Sequence, residues 1–457
     1  MSDGRAGRHA GPTDVTVEGV VDHPDGTISV PAPDRLPRAA HPGTTRTWLT
    51  GIEALRGVAA LAVVAEHTWA LSDDPTKPGG SELDALFVPW GLPELPLARL
   101  VGGLGLWGVL LFFMLSGYLL ADTFWRTEKA DLRVYGIRRF FRIAPAYYVN
   151  VAILFLFFAA PGLLFSAQGA KQVLANLTFT QHLSIDWTGS LFVNGSLWTL
   201  TIEMMLYLFL PVMALMVKRA PWPATGLFVL LGVGWFVLIA FHGDGLRELW
   251  YGSSANVPAD VPAQSGFVAS QFPGALSVFA LGIGARWLVV HGSLDRLYRR
   301  LPARLGVSSF LLLATSSLAL LYWFADKTDV THKVWFSTHY FLLMLALLPA
   351  LLLAARPQQF SPSPLRTVSS WLGERSYSIY LWHFPIILAV YERSPYWLPP
   401  PTDGYLWRVP VILLLTLVAS AASYRMVERP GMELGRTLSQ RLARGRRTPS
   451  PLKEPVP

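Results

Sequence analysis

Residues 51–69 read GIEALRGVAALAVVAEHTW, and this stretch decides the class of the fold. It is long and apolar enough to cross a bilayer, for which a helix needs about 20 mostly apolar residues. Yet it carries Arg56 and His67, and an ionised side chain at membrane depth costs about 2.5–3.5 kcal/mol on insertion scales. Between positions 56 and 67 a helix makes three turns plus roughly 20° and rises about 16 Å, so both side chains lie on one face. Arg56 is expected near the cytoplasmic end and His67 toward the outer half. Such a stripe offers a cation for a phosphate at one end and a titratable base at the other. The plainer alternative is a snorkelling arginine and a hydrogen-bonded core histidine.

The rest of the chain repeats the apolar pattern. Charged residues make up 15% of the 457 and hydrophobic residues 52%, against about 25% charged in an ordinary soluble protein. Ten spans are expected, at 51–72, 101–121, 143–162, 196–217, 222–241, 270–290, 306–325, 333–355, 376–392 and 406–426. The loops between them alternate in charge. Arg126, Lys129, Arg133, Arg138, Arg139 and Arg142 crowd the second, Lys218 and Arg219 the fourth, five arginines the sixth, and Arg356, Arg366 and Arg375 the eighth, while the odd loops are neutral or acidic. Basic loops face the cytoplasm, so both termini are expected there. The fold class is therefore an all-α polytopic membrane bundle. A polar N-terminal tail (1–46, without the apolar core of a secretory signal), one membrane domain (47–430) and a basic C-terminal tail (431–457) complete the expected organisation. The net charge of +8 is the orienting bias of a membrane protein, and nucleic acid is not an expected partner. With no cysteine in the chain, disulfides and an acyl-cysteine intermediate are excluded.

Three further polar sites fall at membrane depth. Glu203, in SLWTLTIEMMLYLFLP, is expected at the depth of His67, where a carboxylate orients an imidazole and stabilises its charged form. Tyr207 lies one turn further on the same face. The alternative is a structural buried ion pair. His383, in SYSIYLWHFPII, sits mid-span beside Tyr380 and Trp382; aromatic packing competes there with a substrate-lining role. Arg139 and Arg142 precede Pro145, read as a helix start. An arginine pair can grip phosphates or serve only as inside-positive charge. Ser116-Gly117 in the second span suits close packing or the lining of a substrate path rather than a nucleophile.

Taken in order, these residues resemble the membrane-bound acyltransferase family 3, of the O-antigen and peptidoglycan O-acetylase type. The shared features are Arg-x10-His (Arg56, His67), FF-x-x-SG (Phe112 to Gly117), R-x-x-R with a following proline (Arg139, Arg142, Pro145), SLW-T-L-x-x-E (Ser196 to Glu203), SYSIYLWH-x-P (Ser376 to Pro385) and a closing E-x-P (Glu428, Pro430). Met204-Met205 depart from the Glu-Gln that members often carry there. The resemblance implies transfer of an acyl group, acetyl above all, from acyl-CoA to a hydroxyl of a sugar, glycan or natural product at a multi-pass plasma-membrane site. It implies His67 as the essential histidine with Arg56 as its partner, and Arg139 and Arg142 at the donor phosphates. From its depth Glu203 is expected as a third catalytic residue, and Ser116 is expected to border the donor. Trp198, Tyr207, Tyr380 and His383 are the expected substrate-lining residues. Acyl-CoA is a substrate, and neither a permanently bound cofactor nor a metal is expected. Many relatives carry an additional hydrolase-like domain. Here transfer is expected to finish in the membrane domain or pass to a separate extracytoplasmic partner.

On this expectation His67, oriented by Glu203 or Glu66, is the general base on the acceptor hydroxyl, or forms an acyl-histidine intermediate. A proton-coupled transporter with a buried His/Glu/Arg relay is the competing reading. It usually shows paired repeats with broken helices, which this sequence lacks.

Overall fold

A computed structural model describes residues 21–22, 28–29, 44–70, 104–125, 131–157, 165–184, 194–251, 268–301, 344, 346–356, 364–391 and 408–445. In the N-terminal unit, Met1–Thr44, Val21–Asp22 pairs antiparallel with Ile28–Ser29. The rest of the expected tail lies outside the described residues, apart from its last few positions, which already belong to a helix. In the unit Thr45–Pro457 the described elements are helices. They are α1 (Thr44–Ala70), α2 (Leu104–Leu120), α3 (Leu132–Phe157), α4 (Ala167–Leu177), α5 (Trp198–Arg219), α6 (Pro221–Tyr251, kinked at His242), α7 (Phe272–Val290), α8 (Asp295–Arg300), α9 (Pro364–Tyr391), α10 (Arg408–Ser423) and α11 (Arg429–Gly445).

Helices cover eight of the ten expected spans. The span at 306–325 lies outside the described residues, and of 333–355 only residues 344 and 346–355 are described, helical from 346 to 354. Among the described residues six helices are long and apolar enough to cross a membrane. Helices α1 and α9 are not among these six; they are the ones that carry His67 and His383. Large apolar side chains point outward along the bundle, including Leu208 and Val212 on α5, Leu230 on α6 and Leu414 and Val418 on α10. Such outward rows suit lipid rather than water. The protein is a multi-pass membrane protein.

Helix α2 is the centre of the bundle. It is apolar on every face, as a helix must be to be buried all round, and Trp107, Leu110, Leu111, Met114 and Tyr118 are almost wholly enclosed. It packs most extensively on α7. A Cβ on Gly117 would strike the Phe279 carbonyl, and one on Gly282 the Met114 carbonyl. The two glycines thus let the backbones touch, which is how helices gain packing energy where lipid offers no hydrophobic drive.

Three site-bearing helices contain an internal proline: Pro145 in α3, Pro211 in α5 and Pro385 in α9. Proline has no N–H, so the carbonyl four residues earlier loses its helical donor, and at membrane depth no water replaces it. Neighbouring elements supply donors to two of the freed carbonyls, and the third lies against a glycine. Tyr135 OH donates to the Tyr207 carbonyl at 3.0 Å. The Nδ2 groups of Asn150 and Asn194 both donate to the Leu381 carbonyl at 3.1 Å. The Phe141 carbonyl faces Gly431 of α11, where a Cβ would lie 3.2 Å from the oxygen. Pro145, expected to start its helix, instead lies inside it. The helix begins at Leu132 and carries Arg139 and Arg142 within it.

The Leu381 contact yields a testable coupling. Asn150→Leu is expected to cost about 0.5–1.5 kcal/mol, the net worth of a hydrogen bond, because Asn150 is fully buried. In a Pro385→Ala background the carbonyl regains an N–H, and the cost of the same change should shrink. Unfolding in detergent of the four proteins of this cycle measures the coupling; equal costs in both backgrounds would show that Asn150 acts elsewhere.

Residues 431–445 of the expected basic tail are helical. Helix α11 continues from a π-helical turn, Tyr424–Glu428, and lies along α3. Gly431 and Gly435, spaced as small-xxx-small, face Pro145 and Phe141, which brings the two helices into close contact.

Candidate active site

Arg56 and Glu203 open onto one cavity of about 120 Å³, lined also by Phe112, Ser116, Arg139, Arg142, Tyr207 and Tyr380. Arg56 is on the middle turns of α1 rather than near its end, since the helix already begins at Thr44. Glu203 accepts hydrogen bonds from Tyr207 OH and from Ser116 Oγ at 3.3 Å. Tyr207 thus sits one turn on, as the spacing predicts. Arg142 enters from α3 and forms an ion pair with Glu428 at 2.6 Å. The other oxygen of Glu428 accepts from Ser378 Oγ of α9 at 2.7 Å. The cavity is therefore a cation-rich chamber whose only described lining acid, Glu203, is engaged by hydroxyls.

A second polar centre lies further along α1. His67 Nδ1 is 2.8 Å from Nε2 of His383 on α9, and the rings are stacked with centroids 5.1 Å apart. His383 Nδ1 is 2.6 Å from the Tyr380 carbonyl. A carbonyl only accepts, so His383 Nδ1 carries a proton. Neutral His383 then presents a lone pair at Nε2, and His67 must donate to it from Nδ1. The geometry leaves His67 Nε2 as a free lone pair, facing Glu66 Oε2 at 3.7 Å. The backbone carbonyl thus fixes the tautomer of one ring, and that ring fixes the next, as outer-shell partners do for ligating histidines. His67 retains 24% of its side-chain surface and His383 none.

The two centres meet at Tyr380. Its ring lines the cavity, stands 5.6 Å from the His383 ring and contacts Phe112 edge-on at 5.9 Å. Its hydroxyl is held by the Ser196 carbonyl and the Thr199 hydroxyl, each at 2.7 Å. Tyr380 and Phe112 form an aromatic partition between the arginines and the imidazole pair.

Two expectations change. Glu203 does not orient His67. Estimating depth along the membrane normal leaves open which neighbour a side chain faces, and Glu203 turns toward Ser116 and the arginines; Glu66 is the carboxylate beside His67. Trp198 does not line the cavity; it packs against His182, with ring centroids 5.3 Å apart. His182 lies outside the spans and holds Ser270 Oγ at 2.8 Å. Burial pushes its pKa down to about 3, which keeps the ring neutral at physiological pH and suits a structural role. Glu428, Tyr377, Thr199 and the two asparagines were not assigned roles from sequence. Pro385 was the available signal for the asparagines, since it orphans a carbonyl, but nothing local names the amides that answer it.

A family model described as "Acyltransferase domain" matches residues 49–425. The chain is similar to peptidoglycan O-acetyltransferase OatA of Listeria monocytogenes, 25% identical over 84% of this chain and 56% of the relative. It is also similar to O-acetyltransferase OatA of Staphylococcus aureus, 26% identical over 71% and 52%, and to nodulation protein 10 of Rhizobium leguminosarum, 26% identical over 73% and 84%. The chain spans about half the length of the two O-acetyltransferases. No solved structure matches it.

Proposed function

This chain belongs to the acyltransferase family whose model covers residues 49–425, and from that premise we propose that it is a membrane-bound O-acyltransferase. It moves an acyl group, acetyl in the first instance, from acyl-CoA to a hydroxyl of a carbohydrate or glycosylated metabolite. The bundle crosses the plasma membrane ten times with both termini in the cytoplasm. Arg56, Arg139 and Arg142 receive the donor from that side, where guanidinium groups pair with phosphate oxygens, and Ser116 borders its path. The thioester arm passes Phe112 and Tyr380 to reach His67, with Tyr207 and His383 beside the path.

One observation carries the chemistry: the hydrogen-bond chain from the Tyr380 carbonyl through His383 leaves Nε2 of His67 as a lone pair. The acceptor O–H gives its proton to this nitrogen as its oxygen attacks the thioester carbonyl. The C–O bond forms, the C–S bond breaks, and the departing thiolate takes the proton from the imidazolium. The Glu66 carboxylate, 3.7 Å from Nε2, steadies the transient positive charge. The names of two relatives, which specify O-acetyl transfer and in one case peptidoglycan, favour a glycan hydroxyl as acceptor.

Mass spectrometry of envelope glycans and small metabolites from cells carrying the wild type or His67→Ala tests this. A species heavier by one acyl unit only in the wild type is expected. Identical spectra, with both proteins present and folded, would overturn it.

A further inference from the structure

A second cavity, of about 310 Å³, opens beside the first. It is lined by Arg138, Arg139 and Arg142 of α3 and by Met432, Arg436 and Gln440 of α11. Arg139 and Arg142 line both cavities. Arg436 and Gln440 lie beyond the end of the family match at residue 425. They reach this place because Gly431 and Gly435 allow α11 to lie directly on Phe141 and Pro145.

The charge balance of this basin is unusual. Arg142 is compensated by Glu428. Among the described residues Arg138 is held by the Ser439 hydroxyl alone, at 3.1 Å. Among the described residues Arg139 and Arg436 have no acidic partner. Two helices in close contact thus gather three uncompensated guanidinium groups around one space. Like charges so placed repel unless an anion joins them. A phosphodiester such as a lipid headgroup brings a single negative charge. A phosphomonoester brings about 1.5–2 and three strong acceptor oxygens, and matches three guanidiniums more closely.

We infer that α11 completes the donor site, with Arg138, Arg436 and Gln440 holding the terminal phosphomonoester of a 3′-phosphorylated nucleotide while Arg139 and Arg142 bridge to phosphates lying further in. The inference rests on the acyl-CoA reading above and adds to it which end of the donor sits where, and that the C-terminal helix is part of the enzyme's binding surface. Arg436 and Gln440 are exposed, so their replacement leaves the core intact.

The test compares acetyl-CoA with 3′-dephospho-acetyl-CoA, by calorimetric titration of the full chain in phosphatidylcholine nanodiscs. The wild type is expected to bind acetyl-CoA about tenfold more tightly than the dephospho form, a modest value for a charge-assisted contact at an exposed site. Arg436→Gln is expected to abolish that preference by weakening acetyl-CoA alone, and Gln440→Glu, which sets a carboxylate against the phosphate, to do the same. Equal weakening of both ligands would overturn the inference, as would a wild type that does not distinguish them; in either case acetyl-CoA still binds and the donor reading survives. A wild type that binds neither ligand overturns both. In discs of phosphatidylglycerol at the same ionic strength the Arg436-dependent preference should persist. Its disappearance there would assign the basin to lipid headgroups.

Discussion

His67→Ala is expected to lower acyl transfer by about 10²–10⁴-fold, the usual contribution of a positioned general base, without loss of the fold. The ring is partly exposed, so its removal leaves no large sealed void. The fall should appear in kcat with little change in donor KM, because the arginines lie elsewhere on the bundle and the ring touches only the reacting end. His383 refines the prediction. It is fully buried, and on the proposed chemistry it never meets the proton that is transferred. Its task is to accept from His67 Nδ1 and so keep the other nitrogen unprotonated. His383→Leu removes that acceptor and frees His67 to place its proton on Nε2. The lost bond strengthens as His67 becomes charged, and bonds to charged groups are worth about 1.5–3 kcal/mol, or about 10–150-fold in rate. His383→Gln can present a carbonyl oxygen in the same direction and should keep much of the activity. If leucine and glutamine variants were equally impaired, the tautomer argument would fail and His383 would have to act directly.

The difference between what was legible in the sequence and what was not follows from the range of each interaction. The common face of Arg56 and His67 is a property of one helix, and a period of 3.6 is enough to read it. The Glu203–Tyr207 pair is local in the same sense. Eight of the expected segments fold as helices because each is its own largely apolar run, and six of these are long and apolar enough to cross a membrane. The His67–His383 contact joins residues 316 apart in sequence and depends on how α1 packs against α9. Depth was the only coordinate available for Glu203, and it matched Glu203 to the wrong partner. The helix at 431–445 was read as tail because its composition is basic. Its decisive feature is the Gly431–Gly435 spacing, which has meaning only once α3 is there to receive it. Pro145 shows the same limit, since a proline reads as a helix start until a neighbouring helix accommodates the carbonyl it frees.

Arg142 and Glu428 should respond unequally to substitution, and the inequality separates structure from chemistry. The pair is 2.6 Å apart, with 20% of the Arg142 side chain exposed and none of Glu428. Breaking a buried pair by removing one member costs about 3–5 kcal/mol, because the other is left as an uncompensated charge. In Glu428→Ala the surviving guanidinium already borders two cavities and can turn into them, so the loss should fall at or below the lower end of that range. In Arg142→Ala the carboxylate stays sealed with Ser378 as its hydrogen-bonding partner, and the loss should approach the upper end. The consequence reaches three elements, since Glu428 ties α3 to α9 from the turn that leads into α11. Arg142→Ala combined with Glu428→Gln removes both charges and should recover most of the lost stability, measured by unfolding in detergent. It should not recover donor affinity, because a cavity that has lost one of its three arginines cannot regain it from a neutral amide. If the double variant bound acetyl-CoA as tightly as the wild type, Arg142 would be a structural counter-ion only, and the phosphates would have to be held by Arg56 and Arg139 alone.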